Sequence, residues 1–145
     1  MPNALTAGQE FNGTMRELTM TRMLAFSGGP FASHGWPAKN IHTDAAKAVE
    51  AGLAAPIASG IQCEADIVRL LLAIFGERWL SSGKLHVKYP RPVFAGASLR
   101  PCARVRGVQA REGSTHVELD VWCETLDKQV VVVGTATCVE PQSAA

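Results

Sequence analysis

From Ile61 to Phe75 the chain is apolar on nearly every helical face, with Ile67, Val68, Leu70, Leu71, Leu72, Ala73, Ile74 and Phe75 running almost unbroken. A helix that is apolar all round has to be buried, so another part of the chain must wrap it. From Lys84 the period changes to two. Leu85, Val87 and Tyr89 alternate with His86 and Lys88, and Pro90 and Pro92 end that strand. Further strands are expected over 98–109, 115–126 and 129–140, with turns at Glu112-Gly113 and Asp127-Lys128. The pattern predicts an α+β fold in which an antiparallel sheet wraps a long buried central helix.

At 145 residues the chain fits a single domain over 1–145, with its core at about 8–140 and loose ends at 1–7 and 141–145. A net charge of +1 gives no electrostatic case for nucleic acid or for an anionic membrane surface. Cys63, Cys102, Cys123 and Cys138 are scattered without a CxxC spacing, so they read as small buried hydrophobes, and no metal or cofactor is expected. Residues 1–12 lack a cationic start followed by an apolar run, and the run at 70–75 is far too short to span a bilayer. The expected location is cytoplasmic.

Local signals punctuate the first half. Thr21 is placed to cap a short helix carrying Met23, Leu24 and Phe26, ended by Ser27-Gly28-Gly29-Pro30. A polar, glycine-rich loop then runs through Trp36-Pro37 to His42. Asp44 is a natural N-cap for the good helix formers at 45–51, and Gly52 a natural stop. Ser59 and Gln62 form a capping-box pattern ahead of the apolar helix.

The chemistry concentrates in Asn40-Ile41-His42-Thr43-Asp44 and in Ser59-Gly60. A neutral imidazole moves protons near pH 7, and a helix N-terminus holds negative charge on an oxygen, so the pair suits a carbonyl or thioester. At Gly60 the missing side chain lets a substrate oxygen reach the backbone N–H. His86 and His116 fall at outward strand positions and read as exposed.

His42-Thr43-Asp44 with Ala48 and Gly52, then Pro56 to Gly60, then Val87-Lys88-Tyr89-Pro90-Arg91-Pro92-Val93-Phe94-Ala95-Gly96, resembles in order and spacing the MaoC-like dehydratase or R-specific enoyl-CoA hydratase family. The resemblance covers roughly 21–139. It implies a hotdog fold, an acyl-thioester substrate on coenzyme A or an acyl-carrier protein, and a homodimer or higher oligomer. The family's Asp-x-Asn-Pro-x-His-x-Asp pattern is incomplete here. Pro37 stands where its catalytic Asp is expected, Lys39 and Asn40 replace Asn-Pro, and Ser59 replaces a His before Gly60.

The resemblance implies an acyl-thioester lyase with His42 as acid-base residue, dehydrating a β-hydroxyacyl or hydrating an enoyl substrate with a non-standard acyl group. Candidates to stand in for the Asp are His34 and Ser33 in the long loop, Asp44, and Glu64, the last one turn into the helix, where an unpaired carboxylate would be costly. Ser59, Gly60, Asn40 and Trp36 are the candidate substrate-binding residues. The alternatives are a thioesterase or double-bond isomerase of the same fold, or a non-catalytic subunit paired with an active partner.

Overall fold

A computed structural model describes residues 4–28 and 39–141. In chain order the elements are β1 (Glu10–Asn12), β2 (Arg16–Glu17), α1 (Met20–Ser27), α2 (Ala45–Glu50), α3 (Gly60–Phe75), α4 (Glu77–Ser82), β3 (Lys84–Lys88), β4 (Ser98–Arg111), β5 (Ser114–Thr125) and β6 (Val130–Pro141). All the strands form one antiparallel sheet in the order β1-β4-β5-β6-β3, with β2 also pairing to β4. The three long strands make two consecutive hairpins turned at Glu112-Gly113 and at Asp127-Lys128, where Gly113 and Lys128 adopt positive φ.

The sheet closes around α3 through the inward alternation that the sequence predicts. Leu99, Ala103 and Val105 of β4, Val117, Leu119, Val121 and Cys123 of β5, and Val132, Ala136 and Cys138 of β6 are buried. Against them lie Cys63, Ile67, Leu70, Leu71 and Phe75, one stripe of α3 at helical spacing. Ile67 and Leu71 are fully buried, each contributing about 1.5–3 kcal/mol by leaving water. This is the hotdog arrangement. All four cysteines are buried.

Burial of α3 is one-sided, which corrects the expectation of a helix enclosed on every face. Ile61 is 65% exposed, Ala65 and Ala73 are exposed, and the polar Asp66 is the buried one. One chain supplies only one sheet, and a sheet covers one side of a helix. The opposite edge of that sheet is tight: a side chain at Gly134 of β6 would collide with the His86 carbonyl of β3, so only glycine fits.

Several end signals resolve differently from the sequence reading. The cap of α1 is Thr19, whose hydroxyl accepts from the Arg22 amide at 3.2 Å, so Thr21 lies inside the helix instead. Asp44 caps α2 as expected, its carboxylate accepting from the Lys47 amide at 2.9 Å, and Gly52 follows with φ of +81°. Ser59 occupies the N-cap of α3 without a side-chain cap bond. The capping box is not formed, and the Gln62 side-chain nitrogen instead donates to the Arg22 carbonyl at 3.2 Å, tying α3 to α1.

The N-terminal end is held, not loose, from the first described residues. Gly8 donates to the Val105 carbonyl at 2.8 Å, and Leu5 packs on the core. At the other end of the sheet, Glu124 lies beside a bulge and accepts from Lys128, Arg100 and Trp122. Lys128 and then Arg100 hold its carboxyl down at about 2. His86 is exposed as expected, whereas His116 is half-buried.

Candidate active site

His42 sits in a turn built by its neighbour. The Asn40 side-chain oxygen accepts from the His42 amide at 2.8 Å and from the Thr43 hydroxyl at 3.3 Å, and its amide nitrogen donates to the Ser27 carbonyl at 3.0 Å. Such local bonding is what Asn does best outside helices, and here it also anchors the loop to the end of α1. The turn leads directly into the Asp44 cap.

The imidazole is oriented from the other side by Ile57. The Ile57 amide donates to the Ile41 carbonyl at 3.1 Å, and the Ile57 carbonyl lies 2.7 Å from His42 Nδ1. A carbonyl oxygen only accepts, so Nδ1 carries the proton and Nε2 holds the lone pair of the neutral ring. Among the described residues nothing occupies Nε2. Ile57 is itself fixed by a bridge to Phe94, and Ala58 donates to the Val93 carbonyl at 2.7 Å.

His42 lines a cavity of about 330 Å³ whose other walls include Ile57, Gly60, Cys63, Val93 and Val132. The lining is predominantly apolar, with a few polar groups at defined points, the usual make-up of a small-molecule site. Cys63 is buried, and burial pushes its thiol up to about 11, with Asp66 adding to the effect, so the protonated form is favoured.

Gly60 opens α3 inside this cavity, but its missing side chain has a reason the sequence did not reveal. A Cβ there would stand 2.8 Å from the ring of Tyr89, which also lines the cavity. The Tyr89 hydroxyl donates to Glu64 at 2.6 Å, so the carboxylate one turn into α3 has a partner. Burial, and then the hydrogen bond to Glu64, push the phenol up to about 12, so Tyr89 stays a neutral donor. Glu64 is half-buried and outside the cavity lining.

The fold thus brings His42 and Gly60 together at one cavity, with Ser59 half-buried at the helix cap and Asn40 holding the His42 turn. Ser33, His34, Trp36 and Pro37 lie outside the described residues. Tyr89 and Arg91 also line the cavity and were read only as a strand residue and part of the motif that follows. Alternation assigns Tyr89 to a strand face, but it cannot show that the strand's end folds over α3. Among the described residues, no group of three or more His, Cys, Asp or Glu is placed to hold a metal, and no helix is long and apolar enough to cross a membrane.

A single antiparallel sheet around a one-sided apolar helix, with a histidine-bearing cavity at the helix N-terminus, defines a hotdog protein with a candidate site at that cavity. The sequence matches the family described as MaoC like domain over residues 16–125. The chain belongs to that family. No curated protein matches it. Among solved structures it is similar to a MaoC-like dehydratase from Rhodospirillum rubrum, with 20% identity, TM-score 0.76, and 97% of this chain and 96% of that one covered. It also resembles an (R)-hydratase from A. caviae involved in PHA biosynthesis, with 19% identity, TM-score 0.67 and coverage of 96% and 98%. A third is the HadBC (3R-hydroxyacyl-ACP dehydratase) complex from Mycobacterium tuberculosis, with 16% identity, TM-score 0.68 and coverage of 92% and 96%.

Proposed function

We propose that this protein is a hydro-lyase acting on acyl-thioesters, interconverting a β-hydroxyacyl group and its enoyl counterpart with His42 as the acid-base residue. The observation that carries the reading is the Nδ1 contact to the Ile57 carbonyl at 2.7 Å, which leaves Nε2 as the basic nitrogen of a ring lining an apolar cavity. Membership in the MaoC-like family and likeness in fold to a hydratase and a dehydratase support it.

In the dehydrating direction, Nε2 takes the α-proton of a β-hydroxyacyl thioester. The charge that develops on the thioester oxygen is held by the Gly60 amide at the start of α3. The Cα–H electron pair becomes the new double bond as the Cβ–O bond breaks. The imidazolium returns its proton to the departing hydroxyl, which leaves as water. Hydration is the reverse, and one histidine serves both proton transfers.

The domain works in the cytoplasm on a substrate carried by coenzyme A or an acyl-carrier protein, as a homodimer or higher oligomer. The family's acid-base pair is incomplete, since Pro37 replaces its Asp, so the preferred acyl group is not a short straight chain. In the test, His42→Gln keeps a hydrogen-bonding side chain but cannot titrate. Turnover of hydroxyacyl and enoyl thioesters, followed by enoyl-thioester absorbance, is expected to fall by roughly 10²–10⁴-fold with unchanged circular dichroism. Wild-type rates in that variant would remove His42 from the chemistry.

A further inference from the structure

Two polar side chains at the start of α3, Glu64 and Tyr89, have no task in the chemistry above. Strand β3 ends at Lys88, so Tyr89 stands one residue beyond it, and Pro90 follows. Pro90 fixes its own φ and restricts Tyr89 to extended backbone. Arg91 then ties the chain to the start of β6, its guanidinium donating to the Val130 carbonyl at 2.8 Å. The backbone beneath Tyr89 is therefore held on both sides.

The side chain is held as well, and chiefly at its far end. The ring lies across the start of α3, with Cε1 and Cζ 2.8 Å and Cδ1 3.0 Å from where a Cβ on Gly60 would stand. There it forms part of the wall of the His42 cavity. Tyr89 is nevertheless 45% exposed, so packing restrains only part of the ring. Its hydroxyl donates to Glu64 Oε2 at 2.6 Å, the length of a strong bond to a carboxylate. Glu64 lies on the same rigid helix as Gly60, one turn on, and does not line the cavity. A carboxylate in that place acts on the cavity through Tyr89.

We propose that Glu64 is a positioning residue: it latches the Tyr89 ring over the helix start, so that the ring closes the side of the cavity beside the Gly60 amide. The proposal rests on the acyl-thioester reading above, in which that amide holds the oxygen that gains charge. Such a donor is strongest where water is kept away and the oxygen is held in place. Released from Glu64, a half-exposed tyrosine turns to other rotamers and leaves the amide open to solvent. The loss falls on the chemical step more than on binding, because the apolar lining of Ile57, Val93 and Val132 is untouched.

The test is steady-state kinetics of Glu64→Ala, Glu64→Gln, Tyr89→Phe and the double variant Glu64→Ala/Tyr89→Phe, with melting temperatures as a check on folding. Glu64→Ala and Tyr89→Phe are each expected to lower kcat by roughly tenfold to a hundredfold with KM little changed. The double variant should be no worse than either. Glu64→Gln, whose amide oxygen still accepts from the hydroxyl, should restore most of what Glu64→Ala loses. The pH profile of kcat should keep its shape throughout. Tyr89 is the chain's only tyrosine, so carbon NMR of protein labelled at the tyrosine ring gives one signal that reads the bond directly. That signal is expected to move in Glu64→Ala and to return in Glu64→Gln. A Glu64→Gln protein as impaired as Glu64→Ala would overturn the proposal by making the carboxylate itself an acid or base. Wild-type rates in Tyr89→Phe, or losses that multiply in the double variant, would overturn it too. An unmoved ring signal overturns the latch whatever the turnover. A signal that moves as expected, in a protein that turns over no hydroxyacyl or enoyl thioester, keeps the latch and removes the hydro-lyase reading.

Discussion

At the scale of single residues, the site depends on contacts that a sequence states only by position. His42 was legible because it falls in a motif with Asp44, whose cap bond to Lys47 is present as expected. Its tautomer was not, since the Ile57 carbonyl lies fifteen positions away and is brought in by the Phe94 bridge and the bond to Ile41. Gly60 stands out in the sequence as a candidate for an incomplete reason: a side chain there would also meet the ring of Tyr89. Gly60→Ala is therefore expected to destabilise the protein by about 1–3 kcal/mol through overpacking against that ring. Adding Tyr89→Ala should recover most of this loss, giving a coupling well above experimental error in a double-mutant cycle. Urea denaturation of the three variants checks it. Additive losses would mean that the ring and the helix start are energetically independent.

At the scale of elements, the long regular pieces could be read because their apolar period is unambiguous, as in β5, where Val117, Leu119, Val121 and Cys123 all point inward. The short ones could not. Strands β1 and β2 are three and two residues long, too short to show any alternation, and exist because β4 offers them an edge. Helix α4, six residues around Trp79, likewise carries no full helical stripe. Cap choice was another failure: Thr19 and Thr21 both precede apolar residues, and only the first has the extended backbone that lets its hydroxyl reach the third amide on. Thr19→Ala is expected to cost about 1 kcal/mol, and Thr21→Ala only a few tenths, by thermal or urea melting. The reverse ranking would place the helix start two residues later.

At the scale of the whole molecule, the unfinished business of the fold is an edge and a face. Among the described residues β3 pairs only with β6, and an outer edge of that kind is a liability in water. The chain continues from that edge into Tyr89, which is 45% exposed, and Tyr89 rests on the start of α3, where Ile61 is 65% exposed. Edge, apolar face and the mouth of the His42 cavity thus meet around Tyr89, and a second copy applied there would cover all three. Lys84, His86 and Lys88 on β3 discourage indiscriminate strand addition but not a pairing specified by the neighbouring apolar surface. The protein is expected to be a dimer or larger at micromolar concentration by light scattering, and Ile61→Glu to shift it toward monomer. Turnover should fall with dimer content if the mouth is completed by the partner. A monomeric mass for the wild-type protein would mean that one sheet suffices for α3, and that the exposed side of Ile61 is open to solvent or to a different protein.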